Sequence, residues 1–418
     1  MLDGVRAVAA LLVVLYHCGL QRVPGGLGVL VFFVLSGFLI TWRLLEEDDA
    51  SGTVSLKHFY FRRALRIVPP FYVYWILLTG ALVLLDKRIL WGQAIASLLY
   101  VGNYYQAIGG DPNTGYSHTW SLAIEEQFYL LWPLLFRRFR ADRQALPRGL
   151  AIGVLTIWVY RLVIRFGLGV GQSYVYEAFD TRADHLMIGC LLAVVLRAGW
   201  GARFWALVCG QPWRLGLPVG LLAISTAAQN TWGHGYRDGV GFIVDPVLTA
   251  IALAQLIALR STLPARWLDR PFSRFLGRIS YSTYLYQQIV VEPVLRGLGA
   301  VPRFAGIAVA VAAVHAVAAV SHYLVERPFL RLGRGARGGS GARRVAVLAR
   351  GERLVETPDL PRFQRPMSAR RVHPPRTDTG RRNPVNLPAP MGTEPSAFAR
   401  CRCSPDRTNR CRTSSASG

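Results

Sequence analysis

Ten mostly apolar stretches recur along this chain, and an α-helix needs about 20 such residues to cross the hydrocarbon core of a bilayer. They centre on Val5 to Leu20, Leu27 to Leu44, Val68 to Leu85, Trp120 to Phe136, Leu150 to Phe166, His185 to Leu196, Leu215 to Gln229, Val240 to Leu259, Ile279 to Leu295 and Phe304 to Leu324. Hydrophobic residues make up 52% of the chain before glycine is counted, and mean hydropathy is +0.29. Soluble domains hold about 45 to 50% with glycine included. The expected fold is therefore an all-α integral membrane protein, a bundle of about ten transmembrane helices. Ile89 to Val101 is short and runs into polar, glycine-rich sequence, so it reads as a non-spanning or re-entrant piece.

The net charge of +24 invites a nucleic-acid reading, but its distribution argues against one. Nineteen arginines and six acids lie from Arg331 onward, so that segment carries +13 and the remainder +11. The body's basic residues sit between apolar stretches, where they orient a membrane protein, since cytoplasmic loops hold the Lys and Arg excess. With ten spans and a cytoplasmic N-terminus, one side collects Arg43, Lys57, Arg62, Arg63 and Arg66, the run Arg137 to Arg148, and Arg260 to Arg278. Treating Ile89 to Val101 as a span would reverse that pattern. The expectation is a multi-pass protein of the inner (plasma) membrane with both termini cytoplasmic and no nucleic-acid partner. Residues 1-330 read as the transmembrane domain. Residues 331-418, rich in Arg, Pro and Ser, read as a disordered cytoplasmic tail that cannot bury enough apolar surface to fold alone. The tail carries no hydrolase or esterase motif.

Cys18, Cys190, Cys209, Cys401, Cys403 and Cys411 have no metal-ligand spacing, so no metal is expected. The first apolar run leads to His17 and not to a small-residue cleavage site, so a cleavable signal peptide is not expected either.

The first span holds charges that a lipid-facing helix would not. Arg6 and His17 are eleven residues apart, almost three whole turns, so they share one face about 16 Å apart along the axis; Asp3 lies on the same stripe. Ionisable groups inside a membrane segment are costly and mark functional sites by default. In "GVLVFFVLSGFLI", Ser36 and Gly37 read as small residues for close helix approach. In "FRRALRIVPP", Arg63 and Arg66 are three apart and suited to clamping phosphates or to setting orientation. In "HTWSLAIEEQFYLLWP", Ser121, Glu125 and Tyr129 form one polar stripe, with Glu126 facing elsewhere. "FDTRADHLMIG" holds Asp180, Arg182, Asp184 and His185, which read most simply as an internal Asp/Arg pair. His315, His322 and Glu326 share a face ending in "VERPF", most simply structural.

Taken in order, "DGVR" with Arg6 and His17, "FFVLSGFLI", "RRALRIVPP", "TWSLAIEEQFYLLWP", "DTRADHLMIG", "ISYSTYLY" and "LVERPF" resemble the acyltransferase 3 family of integral membrane acyltransferases, over roughly Leu2 to Leu330. The resemblance implies transfer of acetyl or another short acyl group from acyl-CoA to a hydroxyl of a carbohydrate: a surface polysaccharide, glycolipid or glycosylated secondary metabolite. It makes His17 the essential histidine, Arg6 its partner, Arg63 and Arg66 the paired arginines for acyl-CoA, and Glu125 the family's glutamate. Asp3, Ser36, Ser121, Asp184 and Glu326 are supporting positions. No cofactor is implied beyond acyl-CoA, most simply acetyl-CoA, as co-substrate. Three departures stand out: relatives have a longer lead before Asp3, which suggests an upstream start; Gln287 stands where they often have a histidine; and His185 replaces a small or apolar residue.

Chemically, a histidine accepts the hydroxyl proton as general base, Arg63 and Arg66 hold phosphates, and Arg6 meets the donor's polar arm or a developing oxyanion. Direct transfer is the expected course, with an acyl-enzyme as the other route. The reading from another class is a multi-span transporter or flippase of a glycan or lipid-linked substrate, which also places polar residues in membrane helices. It predicts internal repeats, and the two halves are not self-similar.

Overall fold

A computed structural model describes residues 1–142, 144–299 and 301–335. Sixteen α-helices follow in order: α1 Leu2–His17, α2 Gly25–Ser51, α3 Leu56–Leu84, α4 Trp91–Leu98, α5 Gly102–Gly109, α6 Thr119–Phe139, α7 Ala145–Leu162, α8 Gln172–Glu177, α9 Phe179–Ala198, α10 Ala202–Cys209, α11 Gly216–Tyr236, α12 Phe242–Ala258, α13 Leu263–Leu268, α14 Pro271–Gly297, α15 Arg303–Ser321 and α16 Arg327–Gly335. Among the described residues there is no strand. Of the segment expected to be a tail, residues 331–335 continue α16 and the remainder lies outside the described residues.

Each apolar stretch falls on a helix of its own. By length and composition, five helical segments qualify as membrane spans, and six if the bent pair Gln172–Ala198 and Ala202–Cys209 is one span. The shortfall from ten has two sources: one segment, Pro212–Ala258, joins α11 and α12 and so holds two of the apolar stretches, and three helices are too short or too polar. α1 is only 16 residues long, while α6 and α14 carry charged and amide side chains that lower their hydropathy. Ile89 to Val101 holds α4 and ends just before α5, each helix eight residues long. At about 1.5 Å per residue, neither crosses a bilayer. The break falls at Tyr100, whose φ of 56° is left-handed.

Two glycines set the central crossing. A Cβ on Gly37 would collide with the carbonyl oxygen of Leu186, and one on Gly189 with that of Val34, so α2 and α9 touch backbone to backbone. This is the close approach that small residues permit between membrane helices. Around it Phe33, Val34, Phe38 and Trp42 of α2 pack against Leu186, Ile188 and Leu192 of α9, and Ile124, Phe128 and Phe136 of α6 close the other side. α1 lies against α14 in the same manner, Gly277 abutting the backbone of Asp3.

Ile76, Leu77, Val83 and Leu84 of α3, Ile152 and Val159 of α7 and Leu221 and Ile224 of α11 are exposed. Large apolar residues displayed this densely are a liability in water and at home in lipid. At the α6–α7 junction, Asp142 accepts hydrogen bonds from the backbone N–H groups of Gln144 and Ala145. Those N–H groups hold its carboxyl below the usual carboxylate range.

Candidate active site

His17 ends α1. Its Nδ1 lies 2.8 Å from the carbonyl oxygen of Val13. A carbonyl only accepts, so Nδ1 carries the proton and Nε2 keeps its lone pair. The ring is half-buried.

Deeper in the bundle, α2, α3 and α6 converge on Arg63. Its guanidinium reaches Glu126 Oε1 at 3.0 Å and Glu125 Oε2 at 3.9 Å, and its carbon stands 3.5 Å above the ring centre of Tyr129. Ser36 donates to the other Glu125 oxygen at 2.9 Å. The stripe Ser121–Glu125–Tyr129 faces inward. Glu126, expected to face elsewhere, makes the shorter contact to Arg63. Adjacent positions on α6 both reach it because a long guanidinium lies between them.

Toward the start of α1, Arg66 lies within coulombic reach of Arg6, Arg63, Asp3 and Glu326. The charge of Arg6 also acts on Glu125. Among the described residues neither Arg6 nor Arg66 has an ion-pair partner, and Arg66 is exposed. The expected arginine pair therefore divides: Arg63 is held by two carboxylates and a ring, and Arg66 is open. Glu326 is committed elsewhere. It accepts from His322 Nδ1 at 3.0 Å and from Ser282, whose hydroxyl oxygen in turn lies 3.1 Å from Ser321 Oγ and accepts from it. His315 turns its Nδ1 to Val311 at 2.8 Å and takes no part in that group.

Near the His17 end lies a residue that the sequence reading passed over. His118, just ahead of α6, hydrogen-bonds through Nδ1 to Gln288 Oε1 at 2.9 Å. Its Nε2 is buried without a partner among the described residues. The hydroxyl of Tyr284 donates to the His118 carbonyl at 2.9 Å and meets the hydroxyl of Ser121. Burial lowers the pKa of His118 to about 4, and His17 is among the charges it senses. Gln287, one residue before the anchor of His118, is fully buried with both amide atoms unpartnered. The signal for His118 was the first letter of "HTWSLAIEEQ"; the signal for Tyr284 was the polar run "ISYSTYLY".

Asp184 is paired, but not with Arg182. Residues two apart on a helix do not face each other. Asp184 instead meets Arg161 of α7 at 3.1 Å and the Trp158 indole at 3.0 Å. His185 approaches the Phe242 carbonyl at 3.2 Å. No group of three or more His, Cys, Asp or Glu able to hold a metal occurs among the described residues.

Residues 1–324 match a family described as an acyltransferase domain. The peptidoglycan O-acetyltransferase OatA of Listeria monocytogenes is 31% identical over 362 residues, 79% of this chain and 56% of its own length. The O-acetyltransferase OatA of Staphylococcus aureus is 32% identical over 318 residues, 69% of this chain and 50% of its own. A putative O-acetyltransferase of Staphylococcus aureus is 32% identical over 316 residues, covering 70% and 50%. This chain spans about half the length of these curated relatives. No solved structure matches.

Proposed function

The chain belongs to the acyltransferase 3 family, and on that premise we propose that it transfers an acetyl or other short acyl group from acyl-CoA to a hydroxyl of a carbohydrate. The observation that carries this reading is the 2.8 Å contact of His17 Nδ1 with the carbonyl oxygen of Val13. With Nδ1–H given to Val13, Nε2 is left as the free base.

The separation along α1 divides the labour. Arg6 and His17 stand about 16 Å apart by helical rise, so they cannot touch the same reacting atom. Arg6 and the open Arg66 take the phosphates of acyl-CoA, the long arm runs along the polar column, and the thioester reaches His17. Arg63, tied to Glu125 and Glu126, shapes that column. At the far end the acceptor hydroxyl gives its proton to His17 Nε2 as its oxygen attacks the thioester carbonyl. The C–S bond then breaks, and the thiolate takes that proton back from His17 and leaves as CoA thiol, restoring the neutral imidazole. Direct transfer needs no covalent enzyme intermediate. In this reading about ten helices cross the plasma membrane with both termini cytoplasmic, residues 1-330 form the catalytic domain and residues 331-418 a cytoplasmic tail.

The test is CoA release and acylated-glycan formation, followed by mass spectrometry, in membranes holding the chain or its His17→Ala variant. Loss of a general base costs about 10²- to 10⁴-fold in rate. Transfer undiminished in a correctly inserted His17→Ala protein would sink the proposal.

A further inference from the structure

Arg182 is a buried cation without a counter-ion. It is 1% exposed, and among the described residues its side chain makes no hydrogen bond or ion pair, with Nε and Nη1 both buried and unpartnered. Four rings surround it: its guanidinium carbon stands 4.0 Å from the ring centre of Phe242, 5.0 Å from Tyr176, 5.8 Å from Phe33 and 6.0 Å from Trp120. Rings over a guanidinium face offset part of its charge. They leave its in-plane N–H donors without an acceptor, and a buried donor left so is costly.

The neighbouring acids do not hydrogen-bond to it. Asp184 gives Oδ2 to Arg161, and its Oδ1 offsets part of the Arg182 charge through space without bonding to it. Asp238, fully buried, is shared between Arg165 at 2.9 Å and Arg237 at 2.8 Å. Four arginines thus meet two carboxylates, and the surplus is positive. Arg237 lies 4.6 Å from the Tyr176 ring centre and 5.4 Å from that of Phe242, so these two rings lie next to both Arg182 and Arg237. Unpaired charge buried in a membrane helix marks a ligand or ion pathway.

The cluster also borders the candidate active site. Trp120, one of the four rings, is the neighbour of Ser121 on α6, and Ser121 meets the hydroxyl of Tyr284.

We propose that the ring-lined Arg182 binds the carboxylate of an acidic acceptor glycan, so that this protein selects anionic over neutral carbohydrate. The proposal rests on the acyltransferase reading for the word acceptor, and on Arg182 alone for the word anionic. Carboxylate oxygens would take the unpartnered N–H donors, and the surrounding buried rings keep water from the pair and so strengthen it.

The experiment uses the full chain in nanodiscs of zwitterionic lipid, with a glucuronate-containing tetrasaccharide and the same tetrasaccharide reduced to its neutral alcohol as probes. Thermal stability reports binding, and acetyl transfer from acetyl-CoA is followed in parallel. The expected result is a rise in melting temperature with the acidic probe only, lost in R182Q and partly kept in R182K, with at least a tenfold preference for the acidic acceptor in transfer. Equal shifts with both probes, no shift with either, or an acid-specific shift surviving in R182Q overturns the proposal. So does anionic lipid added to the discs giving the same Arg182-dependent shift while the acidic probe gives none. If R182Q does not fold, the wild-type comparison of the two probes decides alone. Acid-specific binding with no transfer to either probe refutes the acyltransferase reading and leaves the anion site standing.

Discussion

Glu126 lies 3.0 Å from Arg63, nearer than Glu125 at 3.9 Å, so the guanidinium is gripped mainly by the carboxylate one residue along from the expected one. Each of these side chains is about a fifth exposed. Removing one partner of a buried pair costs about 3 to 5 kcal/mol, because the other charge is left unpaired. Arg63→Ala strands two carboxylates and is expected at the lower end of that range. Arg63→Lys keeps the charge but loses the planar contact with Tyr129 and falls between. Thermal melts of the purified variants check this; an unaltered melt for Arg63→Ala contradicts it.

Arg66 makes the opposite prediction. It is exposed and without an ion-pair partner among the described residues, so Arg66→Ala should leave the fold intact within about 0.5 kcal/mol. Its effect should fall on the donor, raising KM for acetyl-CoA about tenfold while kcat changes little, as when binding common to ground and transition states is removed. A fall in kcat with KM unchanged would place Arg66 at the reacting atoms instead.

Glycines that look alike in the sequence differ in sign. At Gly189 an added methyl runs into the Val34 backbone, and overpacking of that kind costs about 1 to 3 kcal/mol. At Gly149 of α7 it would meet nothing within 4 Å, and replacing a helical glycine by alanine gains about 0.5 to 1 kcal/mol. Gly189→Ala should therefore melt lower than wild type and Gly149→Ala slightly higher. A pair of melts shifting in the same direction refutes the crossing geometry.

Helical periodicity carried much of this architecture. The inward face of Ser121, Glu125 and Tyr129 and the close approach at Gly37 follow from spacing along one helix. Spacing says nothing of which helices meet. The partner of Asp184 is Arg161, 23 residues earlier on α7, and no local pattern separates it from the nearer Arg182. Glu126 was misjudged because a helical wheel places Cα atoms, while a long arginine reaches several positions. His118 escaped because it precedes α6 and belongs to no periodic stripe. It enters the site only because α14 brings Gln288 to it across 170 positions.

His118 permits a test by pH. Burial lowers its pKa to about 4, below the usual value of about 6.5 for histidine. It is therefore neutral in the folded protein above about pH 5, and its charge does not change between pH 5 and 8. Any acid limb in the acetyl-transfer rate over that window belongs to another group, with His17 the candidate base. His118→Asn should lower the rate, through the lost anchor on Gln288, by about tenfold or less, and keep the shape of the profile. Initial rates of wild type and variant from pH 5 to 8 decide the matter. If the acid limb disappears in His118→Asn, the titrating imidazole is His118, and the assignment of the base to His17 falls with it.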